Sequence, residues 1–413
     1  MKRRVVITGM GVISPIGNDI DTFWNNAVQG NIGIGPITRF DASNLKAKVA
    51  AEVKDFVPAD FDLDKKDVRR MDLFTQYAVA AAKQAVDQSG IVGNIDPDRF
   101  GVYIGSGTGG MITFVNETKK MLEKGPGRIS PNFIPTMILN MASGNVAIKY
   151  NAQGPSLPTV TACATSTNSI GEAYRAVMHG YADAIITGGT EATITELAVG
   201  GFVNCQALSL SEDPALASLP FDKRRGGFVM GEGAGIVVLE ELEHAKARGA
   251  NIIAEVCGYG NTCDAHHVTA PRPDGSTAAK AIAMAANEAG LSAEDVLYIN
   301  AHGTGTPLND PSETIAIKKA LGDDIAYKAH VSSTKSVTGH MLGAAGAIEA
   351  IASALALKNG VVPPTAGLEQ QDESCDLDCT PINSKEADLT VALSSSLGFG
   401  GHNACIALRA YKG

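Results

Sequence analysis

Residues 163–180 read CATSTNSIGEAYRAVMHG, and residues 340–360 read HMLGAAGAIEAIASALALKNG. Each segment starts on a side chain capable of chemistry, runs through small residues and becomes periodic. Ile170, Ala173, Tyr174, Val177 and Met178 follow the spacing of one buried helical face, and Ile348, Ile351, Ala352 and Leu355 repeat it. Gly180 closes the first helix ahead of ADAIITGG, and Gly360 followed by VVPP closes the second. The many glycines and alanines predict backbones that approach other elements closely, as in the middle of a layered structure. Setting Glu172 on Glu349 registers the two segments at an offset of 177 residues and places Cys163 opposite His340.

A second echo supports an internal duplication. FGVYIGSGTGG (100–110) and VLYINAHGTGT (296–306) each carry an apolar strand into a GTG loop. The other strands (RVVITGM, AIITGG, GIVVLE, IIAEVCG, VALSSS, ACIALRA) are continuous apolar runs alternating with helical segments. Such runs predict an α/β fold with largely parallel sheets buried on both faces. Two similar halves are expected, 1–250 and 251–413, joined by the short charged connection HAKARGANII. The first half is longer, and its surplus at 111–160 and 191–230 is expected to cap a site and form a dimer interface.

Composition narrows the function. Of 413 residues 45% are hydrophobic and 19% charged, which fits a chain with a large core. A net charge of −10 argues against nucleic acid while leaving room for a local basic patch. The seven cysteines are odd in number and scattered, so the expected compartment is a reducing cytoplasm without disulfides. CDLDC (375–379) has no second ligand pair nearby, and no metal is expected. MKRRVVITGMGVISPIG opens like a signal peptide, but its glycines and proline break the apolar run, and VVITG reads as a first buried strand. No apolar stretch approaches the ~18 residues of a membrane span.

The polar motifs gather at strand ends and helix starts, where α/β folds bind ligands: TACAT around Cys163, NAHGTGT (300–306), SSTKSVTGH (332–340) and LGFGGHN (397–403). Together they supply a thiol, two histidines, a lysine and two glycine-rich loops, the inventory of an acyl-transfer site. A lone cysteine is usually inert packing. At a helix start, unpaired N–H groups and the helix dipole are expected to favour its thiolate. His302 and His340 are flanked by glycine in loops that can reach a cleft, and Lys335 lies between serines after a buried run. The remaining histidines read as structural or exposed.

TACAT with its helix, NAHGTGTPLND, SSTKSVTGHMLGAAGAIEA and LGFGGHNA closely resemble the β-ketoacyl-acyl carrier protein synthases, the type II condensing enzymes of fatty acid synthesis in particular. VVITGMGVISPIGN, RPDG (272–275) and PFDKRRGGFVMGEGAG (220–235) extend the resemblance over essentially the whole chain. It implies a duplicated thiolase-like αβαβα sandwich, a homodimer, and a decarboxylative Claisen condensation without cofactor. Cys163 would carry the acyl chain, and the backbone N–H groups of Cys163 and Phe399 would form the oxyanion hole. His302 and His340 would stabilise the enolate left by malonyl-acyl carrier protein, with Lys335 and Glu349 holding the histidines. Thr304 and Thr306 would bind the phosphopantetheine arm; Thr108, Phe202 and Gly400 would contact substrate. Phe399 would swing as a gate, and Lys65, Lys66, Arg69 and Arg70 would dock the acidic acyl carrier protein.

The chain departs from the family pattern at three places. Gln206 stands where Arg or Lys is frequent, Thr108 where a branched apolar residue guards the acyl pocket, and His402 where threonine is commoner. GSGTGG (105–110) resembles a nucleotide loop but lacks the acidic residue that should follow. Two rivals keep the same fold: a polyketide ketosynthase, and a chain-length-factor-like subunit, which lacks the nucleophile.

Overall fold

The computed structural model describes residues 3–413. The first apolar run becomes β1 (Val5–Ile13), buried along its whole length. It is followed by β2 (Phe100–Gly105), β3 (Ala184–Glu191), β4 (Gly233–Glu241), β5 (Ala254–Cys263), β6 (Leu297–Asn300), β7 (His330–Ser332), β8 (Val391–Gly398) and β9 (His402–Ala410). These strands hydrogen-bond in the order β2-β3-β4-β1-β5-β9-β8-β6-β7.

That order repeats when read outward from the middle. β1 and β5 pair only from Val5 opposite Val256 to Ile7 opposite Ala254. Each then has an antiparallel neighbour, β4 or β9, followed by a second antiparallel strand, β3 or β8. Parallel strands come next, β2 on one wing and β6 on the other. β7 lies parallel to β6, and its counterpart is the short parallel bridge of Ser156 to Val102.

Four helices complete the frame: α1 (Leu73–Ser89), α2 (Thr165–Met178), α3 (Ser276–Glu288) and α4 (Ala345–Asn359). α1 packs on β1, β3 and β4, and α3 packs on β5, β8 and β9. α2 and α4 each touch strands of both wings, so they form the central layer of an αβαβα sandwich. Every residue of α4 from Ala345 to Leu357 is buried, as a helix apolar on all faces except for Glu349 and Ser353 requires.

Two expectations are corrected. The sheet is mixed: five of its eight neighbouring pairs are antiparallel and three parallel. The apolar strands reflect burial between helix layers, which strand direction does not set. The register of the repeat also differs. Both central helices follow a 3₁₀ turn whose first residue takes positive φ, Ala162 at 50° and Leu342 at 47°. They begin at Thr165 and Ala345 and end before Gly180 and Gly360, which sets the offset at 180 residues. Cys163 therefore corresponds to Gly343, not to His340. Offsets of 177 and 180 differ by almost one helical turn, so both keep the same face buried and periodicity cannot separate them.

Of the surplus in the first half, residues 111–160 form three helices, Met111–Lys124, Phe133–Met137 and Met141–Tyr150, the first of which has no buried residue. The second stretch contributes the helix Glu196–Asn204. Its Val199 and Phe202 join Cys163, Phe228 and Leu342 in an apolar cluster.

The central layer is tight where its helices cross. A Cβ on Gly346 would lie 1.9 Å from the Thr167 hydroxyl and 2.9 Å from the Thr167 amide. Gly346→Ala is expected to cost about 1–3 kcal/mol by overpacking, read from urea unfolding. An unchanged midpoint would contradict the close approach.

Candidate active site

One cavity of about 320 Å³ collects the sequence motifs: its lining includes Cys163, His302, His340, Thr304, Thr306 and Phe399. Cys163 sits in the 3₁₀ turn Ala162–Ala164, half-buried, immediately ahead of α2. The turn is braced from the helix: the Thr161 amide donates to the Thr165 hydroxyl at 2.9 Å, and Asn168 Nδ2 donates to the Thr161 hydroxyl at 2.7 Å. Gly398 passes close above it, where a Cβ would lie 2.6 Å from the Thr161 carbonyl and 3.2 Å from the amides of Cys163 and Ala164. Phe399 follows at the tip of the β8–β9 hairpin, with Gly400 and Gly401 at φ of 86° and 78°. Only glycine holds two such residues in succession without strain.

Burial pushes the Cys163 thiol up to about 12. The Lys335 ammonium and the Phe399 N–H oppose that rise, while the Glu191 and Glu349 carboxylates add to it. Desolvation outweighs the local donors, so the thiol lies above its ordinary value where a helix start was expected to favour the thiolate.

The histidines come from the other wing. His302 follows β6, and a single buried carboxylate fixes its loop: Glu313 accepts the amides of His302 at 2.6 Å and Gly303 at 2.8 Å, and the Ser395 hydroxyl at 2.8 Å. His340 is pinned by an isolated bridge, its amide donating to the Val229 carbonyl at 2.7 Å and its carbonyl accepting the Gly231 amide at 2.8 Å. The two rings meet edge to face at 5.3 Å, and Phe228 stands 5.0 Å from His340. Burial first, and the Lys335 charge second, hold both imidazoles well below the ordinary histidine value. Both are neutral at physiological pH.

Lys335 is 1% exposed and donates to Glu349 of α4. Burial raises the Glu349 carboxyl, against the pull of that ammonium. One cation thus acts on the thiol and on both rings. Thr304 and Thr306 hydroxyls lie 2.9 Å apart on the cavity wall.

Other expected residues lie further out. Thr108 and Phe202 do not line this cavity; the Thr108 hydroxyl donates to Glu191 at 2.6 Å, and the Phe202 ring is 6.3 Å from Phe399 and 5.6 Å from Phe228. Gly400 belongs to the hairpin tip, with its amide donated to the Val268 carbonyl. Lys65, Lys66, Arg69 and Arg70 are all exposed on and just after the short helix Lys65–Val68, which a capping box from Asp64 and Asp67 starts. Gln206 lines the cavity beside Cys205.

Sequence reading missed the buried acids. Asp310, raised to about 6 by burial, accepts the amides of Phe221 at 2.8 Å and Gly305 at 3.2 Å, and Glu313 holds the His302 loop. Both fall directly after the GTGT loop, in PLNDPSE. Asp264, Asn309 and Asn403 also line the cavity. Acids inside an otherwise helical stretch were the available signal.

Two family models cover most of the chain: Beta-ketoacyl synthase, N-terminal domain, over residues 2–245, and Beta-ketoacyl synthase, C-terminal domain, over residues 253–369. The chain belongs to the β-ketoacyl synthase family. Among the relatives of this synthase, a 3-oxoacyl-[acyl-carrier-protein] synthase 2 of Synechocystis sp. is 53% identical over 100% of this chain and 99% of its own. One from Staphylococcus aureus is 52% identical over 99% of each. Among solved structures, a beta-ketoacyl synthase from Burkholderia phymatum superposes with a TM-score of 0.92 at 34% identity over the whole of both chains. The ishigamide ketosynthase/chain length factor gives 0.92 at 37%, again over the whole of both. A type II PKS acyl-carrier protein in complex with its ketosynthase bound to the hexaketide gives 0.90 at 34%, likewise complete. This enzyme is an acyltransferase of the thiolase-like fold.

Because Lys335 is the cation that opposes burial at Cys163, its removal should raise the thiol further. Lys335→Met is expected to slow alkylation of Cys163 by iodoacetamide several-fold at fixed mildly alkaline pH, read by peptide mass spectrometry. Equal or faster labelling would show that the ammonium does not act on the sulfur.

Proposed function

We propose that this synthase elongates fatty acyl chains by condensing malonyl-acyl carrier protein with an acyl group held on Cys163. The observation that carries the reading is the single cavity joining that thiol to two neutral, buried imidazoles. In the first half-reaction Cys163 Sγ attacks the acyl thioester carbonyl. The new C–S bond replaces the one to the carrier's pantetheine thiol, which leaves with the proton. The Cys163 and Phe399 amides receive the developing oxyanion. In the second, malonyl thioester loses CO2 and the C–C electrons pass into an enolate, whose oxygen takes hydrogen bonds from His302 and His340. The enolate carbon attacks the Cys163 thioester, and the tetrahedral intermediate collapses by breaking the C–S bond, releasing a Cys163 thiolate that takes up one proton from water. Neutral imidazoles suit this step: they donate hydrogen bonds without the acidity that would quench the carbanion.

Thr304 and Thr306 line the cavity where a phosphopantetheine arm would pass. Phe399, on its two-glycine hinge, acts as the gate between the half-reactions, with Phe202 behind it. The exposed Lys65, Lys66, Arg69 and Arg70 meet the acidic carrier on a chain of net charge −10. The working unit is a homodimer in the cytoplasm. Leu157 and Val160 stand 48% and 51% exposed beside the sheet edge, which a second copy would cover. Among the described residues, no helix is long and apolar enough to cross a membrane. The 52–53% identity to 3-oxoacyl-[acyl-carrier-protein] synthases 2, against 34% to the type II PKS ketosynthase, favours fatty acid elongation. The intact Cys163 speaks against a non-catalytic chain-length-factor role.

Cys163→Ala should abolish condensation while malonyl-carrier decarboxylation persists, and His302→Ala or His340→Ala should reduce CO2 release about 100-fold or more. Elongation by the cysteine variant would remove Cys163 from the mechanism. The half-reactions should also part with pH. The depressed imidazoles stay neutral through mildly acidic pH, so CO2 release should be flat there. Acyl transfer depends on a thiolate whose folded pKa is raised, so it should climb steadily on the alkaline side. An acid limb of CO2 release near the ordinary histidine value of 6.5 would contradict the assigned protonation states.

A further inference from the structure

Glu191, at the end of β3, is fully buried, and among the described residues it makes no ion pair. Its carboxylate is instead surrounded by donors. Oε2 accepts the Gly107 amide at 2.9 Å and the Gly343 amide at 3.0 Å. Oε1 accepts the hydroxyls of Thr108 at 2.6 Å, Thr193 at 2.9 Å and Ser106 at 3.2 Å, and the Thr108 amide at 3.3 Å. The Gly107, Gly343 and Thr108 amides can only donate, and the Thr108 and Thr193 hydroxyls also meet each other, so an amide side chain in its place would keep its carbonyl on the Gly107 and Gly343 amides and turn its N–H₂ group against the Thr108 amide. The approach is close enough to demand glycine: a Cβ on Gly107 or on Gly343 would lie 2.7 Å from Oε2.

The clamp crosses between the duplicated halves. Gly343 belongs to the 3₁₀ turn Leu342–Ala344, the structural counterpart of the turn that carries Cys163, and the two turns pack against each other. Leu342 shares the apolar cluster that surrounds Cys163, the surface on which an acyl chain leaving that sulfur would lie. Thr108 forms the other end of the same clamp. The histidines stand outside it, His302 on Glu313 and His340 on the bridge to Val229 and Gly231.

We propose that Glu191 is a positioning residue for the acyl-loading half-reaction: it ties the Thr108 loop to the Leu342–Gly343 turn and so holds the wall against which the Cys163-bound chain packs. The assignment rests on the ketosynthase reading for its acyl chain, but its effect on the sulfur does not. Glu191 also places a negative charge near Cys163, adding to the burial that raises the thiol; Lys335 acts in the opposite sense, and Glu349 in the same sense as Glu191. Removing the charge should lower the thiol pKa even as the wall loosens. A single substitution should therefore lower the thiol midpoint and slow acyl transfer while sparing decarboxylation, a combination that a general loss of packing reaching the histidines would not give.

The test compares Glu191→Gln with the parent enzyme. The pH midpoint of Cys163 alkylation by iodoacetamide, followed on the Cys163 peptide, should fall by about half a unit or more. Acyl transfer from a long-chain acyl-carrier should fall about tenfold in kcat/KM, while decarboxylation of malonyl-carrier stays within about twofold. If both half-reactions drop together, or if neither readout moves, the proposal is overturned. Should Glu191→Gln not fold, Thr193→Val removes one donor and keeps the charge. It should leave the alkylation midpoint in place while slowing acyl transfer a few-fold, and unchanged transfer would overturn the clamp. Alkylation needs no carrier, so a parent enzyme inactive with carriers would sink the ketosynthase reading and leave the effect of Glu191 on the sulfur to be read on its own.

Discussion

The crossing of α2 and α4 is the contact on which the molecule depends. Gly346 lies on Thr167, the Ala347 amide donates to the Ser166 hydroxyl at 2.9 Å, and the Thr167 and Ser396 hydroxyls meet at 2.7 Å. Each of these pairs takes one residue from either half of the chain. Ser166 and Thr167, both buried on α2, find their polar partners in the second half of the chain. Bringing the helix starts together also brings together the loops that precede them. The thiol arrives from the first half and both imidazoles from the second, and neither half holds the complete set.

The duplication shared the frame but not the chemistry. With Cys163 matched to Gly343, and the loop after β2 matched to the loop after β6, Ser106 stands where His302 stands in the other half. The second position thus has neither nucleophile nor imidazole. What both positions keep is a buried carboxylate collecting amides from the GTG loop: Glu191 takes those of Gly107 and Thr108, and Glu313 those of His302 and Gly303. They reach this arrangement by different routes, one from a strand end and the other from the helix Asn309–Leu321. A loop that turns on glycines leaves its amides unpaired, and a buried carboxylate satisfies several of them at once.

The sequence showed the repeat, the layered α/β class and the motifs that share the cavity, because each writes a local signature: a 3.6-residue face, an apolar run, a glycine-flanked histidine. What it could not show depends on contacts distant in the chain. A three-residue slip leaves the buried face of α4 intact, so the true register is set by the helix ends, the paired 3₁₀ turns at Ala162 and Leu342 together with the closing Gly180 and Gly360. Strand direction was hidden because layers on both sides of a sheet bury parallel and antiparallel strands alike. Nothing local distinguishes Asp310 and Glu313 from solvated helix acids; only the fold places the GTG loop on them. The state of the Cys163 thiol was misjudged for a related reason: the donors at a helix start are local, whereas desolvation is a property of the whole cavity.

That last point bears on how one cavity can serve two unlike steps. Desolvation favours neutral forms, so it alone would leave the thiol protonated and both imidazoles uncharged. Neutral imidazoles are what an enolate needs, but a protonated thiol is a poor nucleophile. Lys335 changes the balance in a useful direction at both places. Its positive charge adds to burial at the rings, keeping them neutral, and opposes burial at the sulfur, making the thiolate easier to reach. No anion at the same position could do both, since it would raise the thiol and the imidazoles together. Such a cation must itself be buried, and a buried ammonium needs an anionic partner. Glu349 is that partner, supplied by the central helix whose packing against α2 brings the two halves together.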